Sequence, residues 1–256
     1  QLSAPAELSG FTALKTVKAN GNSSVKQLLF NNCPALEQID ITGNTALATT
    51  AVSTTDEYRT IRLKNCGFSE NNYPTIKGLY GLQSTGTNGV ILNIEGNSFT
   101  ALPADTTFVP RFVMMHSNGI SGAFSPTLPD YLAGLDITDN SGITSLTINN
   151  SNLSALMLGG LTALTTADLR GNSALTSTAG NNTRANLISG VGRVYIKECT
   201  ALESIDISNC DIRNASTYNN FDLSSNTALR VIKADGNTGS GMTYFQASDL
   251  PTSVEE

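Results

Sequence analysis

Residues 34–47 read PALEQIDITGNTAL. Apolar residues stand at Leu36, Ile39 and Ile41, an amide follows at Asn44, and Leu47 comes three places later. Within QIDIT, Ile39 and Ile41 point to one side while Gln38, Asp40 and Thr42 point to the other, which is the period of a β-strand. Written L-x-x-L-x-L-x-x-N, with any apolar residue at the Leu positions, the formula recurs along the chain. One series ends at Asn22 (LKTVKANGN), Asn44, Cys66 (YRTIRLKNC), Asn97 (GVILNIEGN), Asn118 (PRFVMMHSN) and Asn140 (LAGLDITDN). It continues through Leu161 (LSALMLGGL), Cys199 (VGRVYIKEC), Asn226 (YNNFDLSSN) and, weakly, Leu250 (MTYFQASDL). Its base period is 21–22 residues, with insertions near 67–88, 173–190 and 211–217. A second series about half a period away ends at Cys33 (VKQLLFNNC), Ser151 (ITSLTINNS), Asn172 (LTTADLRGN), Cys210 (LESIDISNC) and Asn237 (LRVIKADGN).

A repeat of this length marks a solenoid. One coil cannot bury its apolar row alone, but stacked coils can, with their strands side by side in parallel. Where the chain leaves a strand, backbone groups turn inward, and leaving one unpaired costs about 1–3 kcal/mol. An Asn amide offers both donors and an acceptor, so a column of Asn satisfies successive corners. Cys is small and tolerates burial, so it fits the same slot. The ladder is therefore assigned to Asn22, Cys33, Asn44, Cys66, Asn97, Asn118, Asn140, Asn172, Cys199, Cys210, Asn226 and Asn237. The four cysteines read as buried reduced thiols, with Cys199 and Cys210 on opposite sides of one coil, too far apart for a disulfide. Their usage does not distinguish an oxidising from a reducing compartment.

With segments such as NNCPALEQIDITGNTAL and KECTALESIDISNC, the chain resembles bacterial cell-surface leucine-rich repeat proteins of the Bacteroidetes type and, more distantly, internalins. The likeness covers about 11–250. It implies a β-rich, right-handed leucine-rich repeat solenoid of about ten coils with a parallel sheet on the concave side, forming one domain over 1–256. It also implies an extracellular or cell-surface setting and a binding role.

Composition narrows the classes. The net charge is −6 and the 15 Lys and Arg form no basic block, which argues against the electrostatic footprint of a nucleic-acid binder and against attraction to anionic lipid. No apolar run is long enough to span a bilayer. No charged segment followed by an apolar one opens at Gln1, as expected if a signal has been removed or the chain is a fragment. Motifs for nucleophilic, metal-dependent or phosphate chemistry are missing, and the single histidine, His116, falls at an outward position where a solvated role is expected. Asp136 with Asp139, and Asp206 with Asp211, read as corner residues rather than an acid–base pair. DITDNSG has oxygens suited to calcium, but the same residues serve the turn. No enzyme activity, metal or cofactor is expected.

Function is sought in the outward side chains. With the first series taken as the concave sheet, its flanking coils are polar, while Ile91, Phe112, Met114, Met157, Arg193 and Tyr195 project outward in the middle beside His116. An exposed apolar and aromatic patch reads as an interaction site, unless the insertion at 67–88 or 173–190 folds over it. The second series, with Thr144, Ser145, Thr147, Thr165 and Thr166, reads as an inert solvated face. The expected function is a non-enzymatic recognition module binding a protein or glycan on the concave face. The alternative is a structural or accessory subunit of a larger surface or virion assembly, contacting neighbouring subunits laterally. Neither reading involves nucleic acid or membrane insertion.

Overall fold

The computed structural model describes residues 6–22, 25, 27–44, 60–78, 90–102, 110–149, 151–175, 177–178, 193–210, 223, 225–237 and 254. Among these residues there is no helix, and the chain packs as two compact units, 1–118 and 119–256.

In the first unit the strands are β1 (Ala6–Ser9), β2 (Thr16–Lys18), β3 (Gln27–Asn31), β4 (Gln38–Asp40), β5 (Thr60–Lys64), β6 (Thr75–Lys77), β7 (Ile91–Asn93) and β8 (Phe112–Met114). Up to β6 they alternate between two sheets, β1-β3-β5-β7-β8 and β2-β4-β6, with parallel neighbours throughout. In the second unit the strands are β9 (Ser121–Phe124), β10 (Gly134–Asp136), β11 (Gly142–Thr147), β12 (Ala155–Met157), β13 (Thr166–Asp168), β14 (Ser177–Thr178), β15 (Arg193–Tyr195), β16 (Ser204–Asp206) and β17 (Val231–Lys233). They form the parallel sheets β10-β12-β15-β14 and β9-β11-β13-β16-β17. Strands close in sequence thus become sheet neighbours once per turn, an arrangement compatible with a parallel β solenoid.

The apolar positions of the formula fill the space between the two sheets. Leu28, Ile61, Leu92 and Val113 stand in register down the first unit and are all buried. In the second unit Leu146, Ala167 and Ile205 do the same on β11, β13 and β16. Each Leu or Ile so placed contributes about 1.5–3 kcal/mol by leaving water, so the repeated inward row is the main source of stability.

The corners follow one scheme. Asn172 Oδ1 accepts from the Ser151 amide at 2.9 Å, while its Nδ2 donates to the carbonyls of Ile148 and Leu169, both at 2.6 Å. Asn97 and Asn118 likewise link consecutive turns in the first unit, as does Asn237 in the second. Where Cys replaces Asn in the second unit, the thiol donates to the carbonyl of the preceding turn, Cys199 to Leu158 at 3.0 Å and Cys210 to Leu169 at 2.8 Å. Eleven of the assigned ladder residues follow a residue with positive φ, such as Gly43 (78°) before Asn44 and Glu198 (60°) before Cys199. That left-handed step reverses the chain into the corner, and it explains the Gly or Asn so often found ahead of the ladder residue.

The two repeat series differ from the two sides of the structure in one respect. Asn22, Asn44 and Cys66 fall in one series by spacing, with Cys33 in the other. The structure instead pairs β3 with β5 and β4 with β6, so Cys33 and Cys66 share a column, the Cys33 amide donating to Cys66 Sγ at 3.4 Å. Cys33 to Cys66 is 66 − 33 = 33 residues, one turn of 22 plus a half-turn of 11. The surplus half-turn slides a 22-residue alignment onto the opposite side. In consequence part of the supposed insertion at 67–88 is β6, a regular member of the second side; 79–88 lies outside the described residues, as do most of 173–190 and all of 211–217.

Candidate functional site

The expected apolar patch is not a surface. Ile91, Phe112, Met114 and Met157 are each no more than 2% exposed, and His116 is buried as well. In β7, β8, β10 and β12 all three residues are buried, so both faces of these strands are out of water. Parallel strands covered on both faces carry near-continuous apolar runs rather than clean alternation, and VILNI at 90–94, RFVMM at 111–115 and SALML at 154–158 are such runs. Their outward apolar residues thus mark a second layer of core. Within the first unit the structure brings Ile91 beside Phe112 and Asn93 beside Met114. Within the second it brings Met157 beside Tyr195 and Ala155 beside Arg193 by backbone register; the side chains of Arg193 and Tyr195 lie outside the described residues.

His116 also departs from its expected solvated role. Its Nε2 lies 2.7 Å from Glu95 Oε2, and Lys64 Nζ contacts the other oxygen of that carboxylate. The Asn93 amide adds a hydrogen bond at 3.1 Å. Burial pushes the Glu95 carboxyl up, but the hydrogen bonds from His116, Lys64 and Asn93 outweigh it and hold the group well below the usual carboxylate range. The cluster satisfies a buried charge. Burial also pushes the Cys199 thiol up to about 12 and the Cys210 thiol to about 11, the protonated state that donates to the ladder carbonyls.

The open face belongs to the side read from sequence as inert. On β11, β13, β16 and β17 the outward positions form two columns, Ser145–Thr166–Ser204–Val231 and Thr147–Asp168–Asp206–Lys233. All eight residues are exposed or half-buried. Together with Leu146, Ala167, Arg170 and Ile205 they bound a groove of about 250 Å³, lined at each of these positions except Ser145. A second depression of about 130 Å³ shares Thr147 and extends to Pro126, Leu128, Pro129, Asn149 and Asn152.

The aspartates of this face have a local role as well. Asp206 Oδ1 accepts from the Ser208 amide at 3.0 Å and Asp168 Oδ1 from the Arg170 amide at 3.3 Å, closing the strand-exit turn. The same turn is made by Asp40, Asp136 and, with an amide oxygen, Asn93. Asp136 and Asp206 therefore cap corners, as expected; Asp211 lies outside the described residues. Asp168 is further committed to Arg170 Nη2 at 2.9 Å and Asn149 Nδ2 at 3.2 Å. Asp206 has no ion pair at contact distance among the described residues. Burial raises its carboxyl, while Ser208 and the charges of Arg170 and Lys233 more than compensate and lower it. The hydroxyls of Thr166 and Ser204 and the Lys233 ammonium make no side-chain hydrogen bond among the described residues. The groove is thus rich in uncommitted donors and acceptors. Its signal is visible in LTTADLRGN, LESIDISNC and LRVIKADGN, where one slot reads Asp, Asp, Lys.

Among the described residues, no group of three or more His, Cys, Asp or Glu side chains is placed to hold a metal ion. In comparisons with known proteins, no family model, curated protein or solved structure matches this chain.

Proposed function

We propose that the chain is a non-enzymatic recognition module, a leucine-rich repeat solenoid displayed outside the cell, that binds a protein or glycan. The repeat formula, its likeness to bacterial surface repeat proteins and the two-sided stacking of parallel strands support the leucine-rich repeat reading. The binding surface is placed on the open face of β11, β13, β16 and β17, in place of the buried patch around Phe112. The observation that carries this is the burial contrast: one side has polar and charged groups in a groove open to solvent, whereas β7, β8, β10 and β12 have both faces covered. A non-catalytic role is supported by the engagement of the single histidine with Glu95 and by the ladder role of the buried thiols.

The test is a printed array of extracellular-matrix proteins and polysaccharides probed with the wild-type chain and with the Thr166→Arg/Ser204→Arg variant. The expected result is at least one spot retained by the wild type and lost by the equally folded variant. Retention by neither, or by both alike, contradicts the reading.

A further inference from the structure

Building on the recognition reading, we infer that the groove on β11, β13, β16 and β17 is a site for an extended, uncharged saccharide chain. The first support is the chemistry of the lining. Thr147, Thr166 and Ser204 present hydroxyls, Asp206 a carboxylate and Lys233 an ammonium toward the same depression. A ligand with a hydroxyl on nearly every carbon is the class that meets such an alternation of donors and acceptors without leaving them unpaired.

The second support is charge. Asp168 and Asp206 are balanced by Arg170 and Lys233, so the lining carries no net charge. Such a surface exerts little attraction on a polyanion or polycation. The third is what the lining lacks. It has no Phe, Tyr or Trp, and its one large exposed apolar residue is Val231; protein interfaces take most of their energy from buried aromatic and Arg anchors. The fourth is shape. The groove crosses four strands, three spacings or about 14 Å, and the depression at Pro126 and Pro129 adjoins it at the shared residue Thr147. This track fits a chain crossing the strands, with the prolines offering flat apolar contact to the C–H face of a sugar ring.

The experiment is an amide NMR titration of the full chain with maltoheptaose, cellohexaose, mannohexaose and xylohexaose, alongside hexagalacturonate and hexameric chitosan as charged comparators. At least one neutral oligosaccharide should shift the amides of 145–147, 166–170 and 204–206, with an affinity that changes less than twofold between low and moderate salt. Asp206→Asn should weaken that affinity tenfold or more without unfolding the chain, because an Asn oxygen already closes the equivalent turn at Asn93. If no neutral oligosaccharide moves these amides, or only a charged hexamer does, or Asp206→Asn binds as well as wild type, the inference is overturned. A protein spot on the array lost in the Thr166→Arg/Ser204→Arg variant, with no saccharide response here, would sink the saccharide and leave the recognition reading standing. No retained spot and no saccharide response would sink both.

Discussion

At the scale of single residues, the chain is organised by what happens one turn of backbone after each strand. Asn172 spans two turns with four hydrogen bonds, one of them accepted from the Ser151 hydroxyl, and is fully buried. Asn172→Ala strands the Ser151 amide and the Ile148 carbonyl, while the Leu169 carbonyl keeps the Cys210 thiol, and a loss of about 2–4 kcal/mol is expected in urea unfolding. Asn172→Cys should cost less, since Cys210 already serves the next turn of that column through one thiol donor. Ahead of the ladder, Glu198 holds a φ of 60° that a residue with a Cβ adopts at a cost. Glu198→Gly removes roughly 1–2 kcal/mol of left-handed strain and gives back roughly 0.4–1 kcal/mol in unfolded-chain entropy. A net gain near 1 kcal/mol is expected, read as a rise in Tm; a fall would contradict the corner geometry.

Residue by residue, the ladder was legible, because the corner slot admits few side chains and each leaves a letter in the sequence. Asn44, Asn97, Asn172, Cys199 and Cys210 stand where the formula puts them, while Cys33 and Cys66 fill ladder slots of one column that the formula divides between two series. The left-handed step was written there too, in TGN, RGN and SNC, but its function shows only once φ is known.

Strands hold both the successes and the failure of the sequence reading. Alternation in QIDIT identifies β4, and the spacing of LTTADLRGN and LESIDISNC makes β13 and β16 neighbours. Sidedness failed at β5, since a half-turn surplus is invisible to a 22-residue alignment. Exposure failed at β7, β8 and β12 because alternation tells which side chains leave the coil, not whether another layer meets them there. Phe112 tests this most sharply: Phe112→Ala should cost about 3–5 kcal/mol as a core truncation, whereas Thr166→Ala on the open face should stay within about 0.5 kcal/mol. Equal, small effects would return Phe112 to the surface.

The first sheet also carries a pH signature through Glu95. Its folded pKa lies below its unfolded value near 4.5, so its contribution is fully present above that pH and is lost as pH falls below it. Urea midpoints compared at pH 6 and pH 3 should show a loss in the wild type that is smaller in Glu95→Gln. An identical pH dependence in the two chains would exclude Glu95 as its source.

At the scale of the whole molecule, repetition separates scaffold from surface. The inward rows and ladder columns recur because every turn has the same burial problem, and solenoids commonly use the extended surfaces that such stacking leaves outside. Function is sought where the repeat stops dictating the residue, and the outward slots of β13, β16 and β17 are such positions. Their Asp, Asp and Lys were readable in sequence, but nothing there said that this side, rather than the apolar one, faces water.

The most direct measurement is thiol labelling of single-cysteine probes, with the four native thiols buried and silent. Thr166→Cys and Ser204→Cys should react with a maleimide at the rate of an accessible thiol, while Phe112→Cys and Met157→Cys in the folded chain should react only as fast as the structure opens. Rapid labelling at Phe112 and Met157, with protection at Thr166 and Ser204, would contradict the account and move the binding surface back to the apolar side.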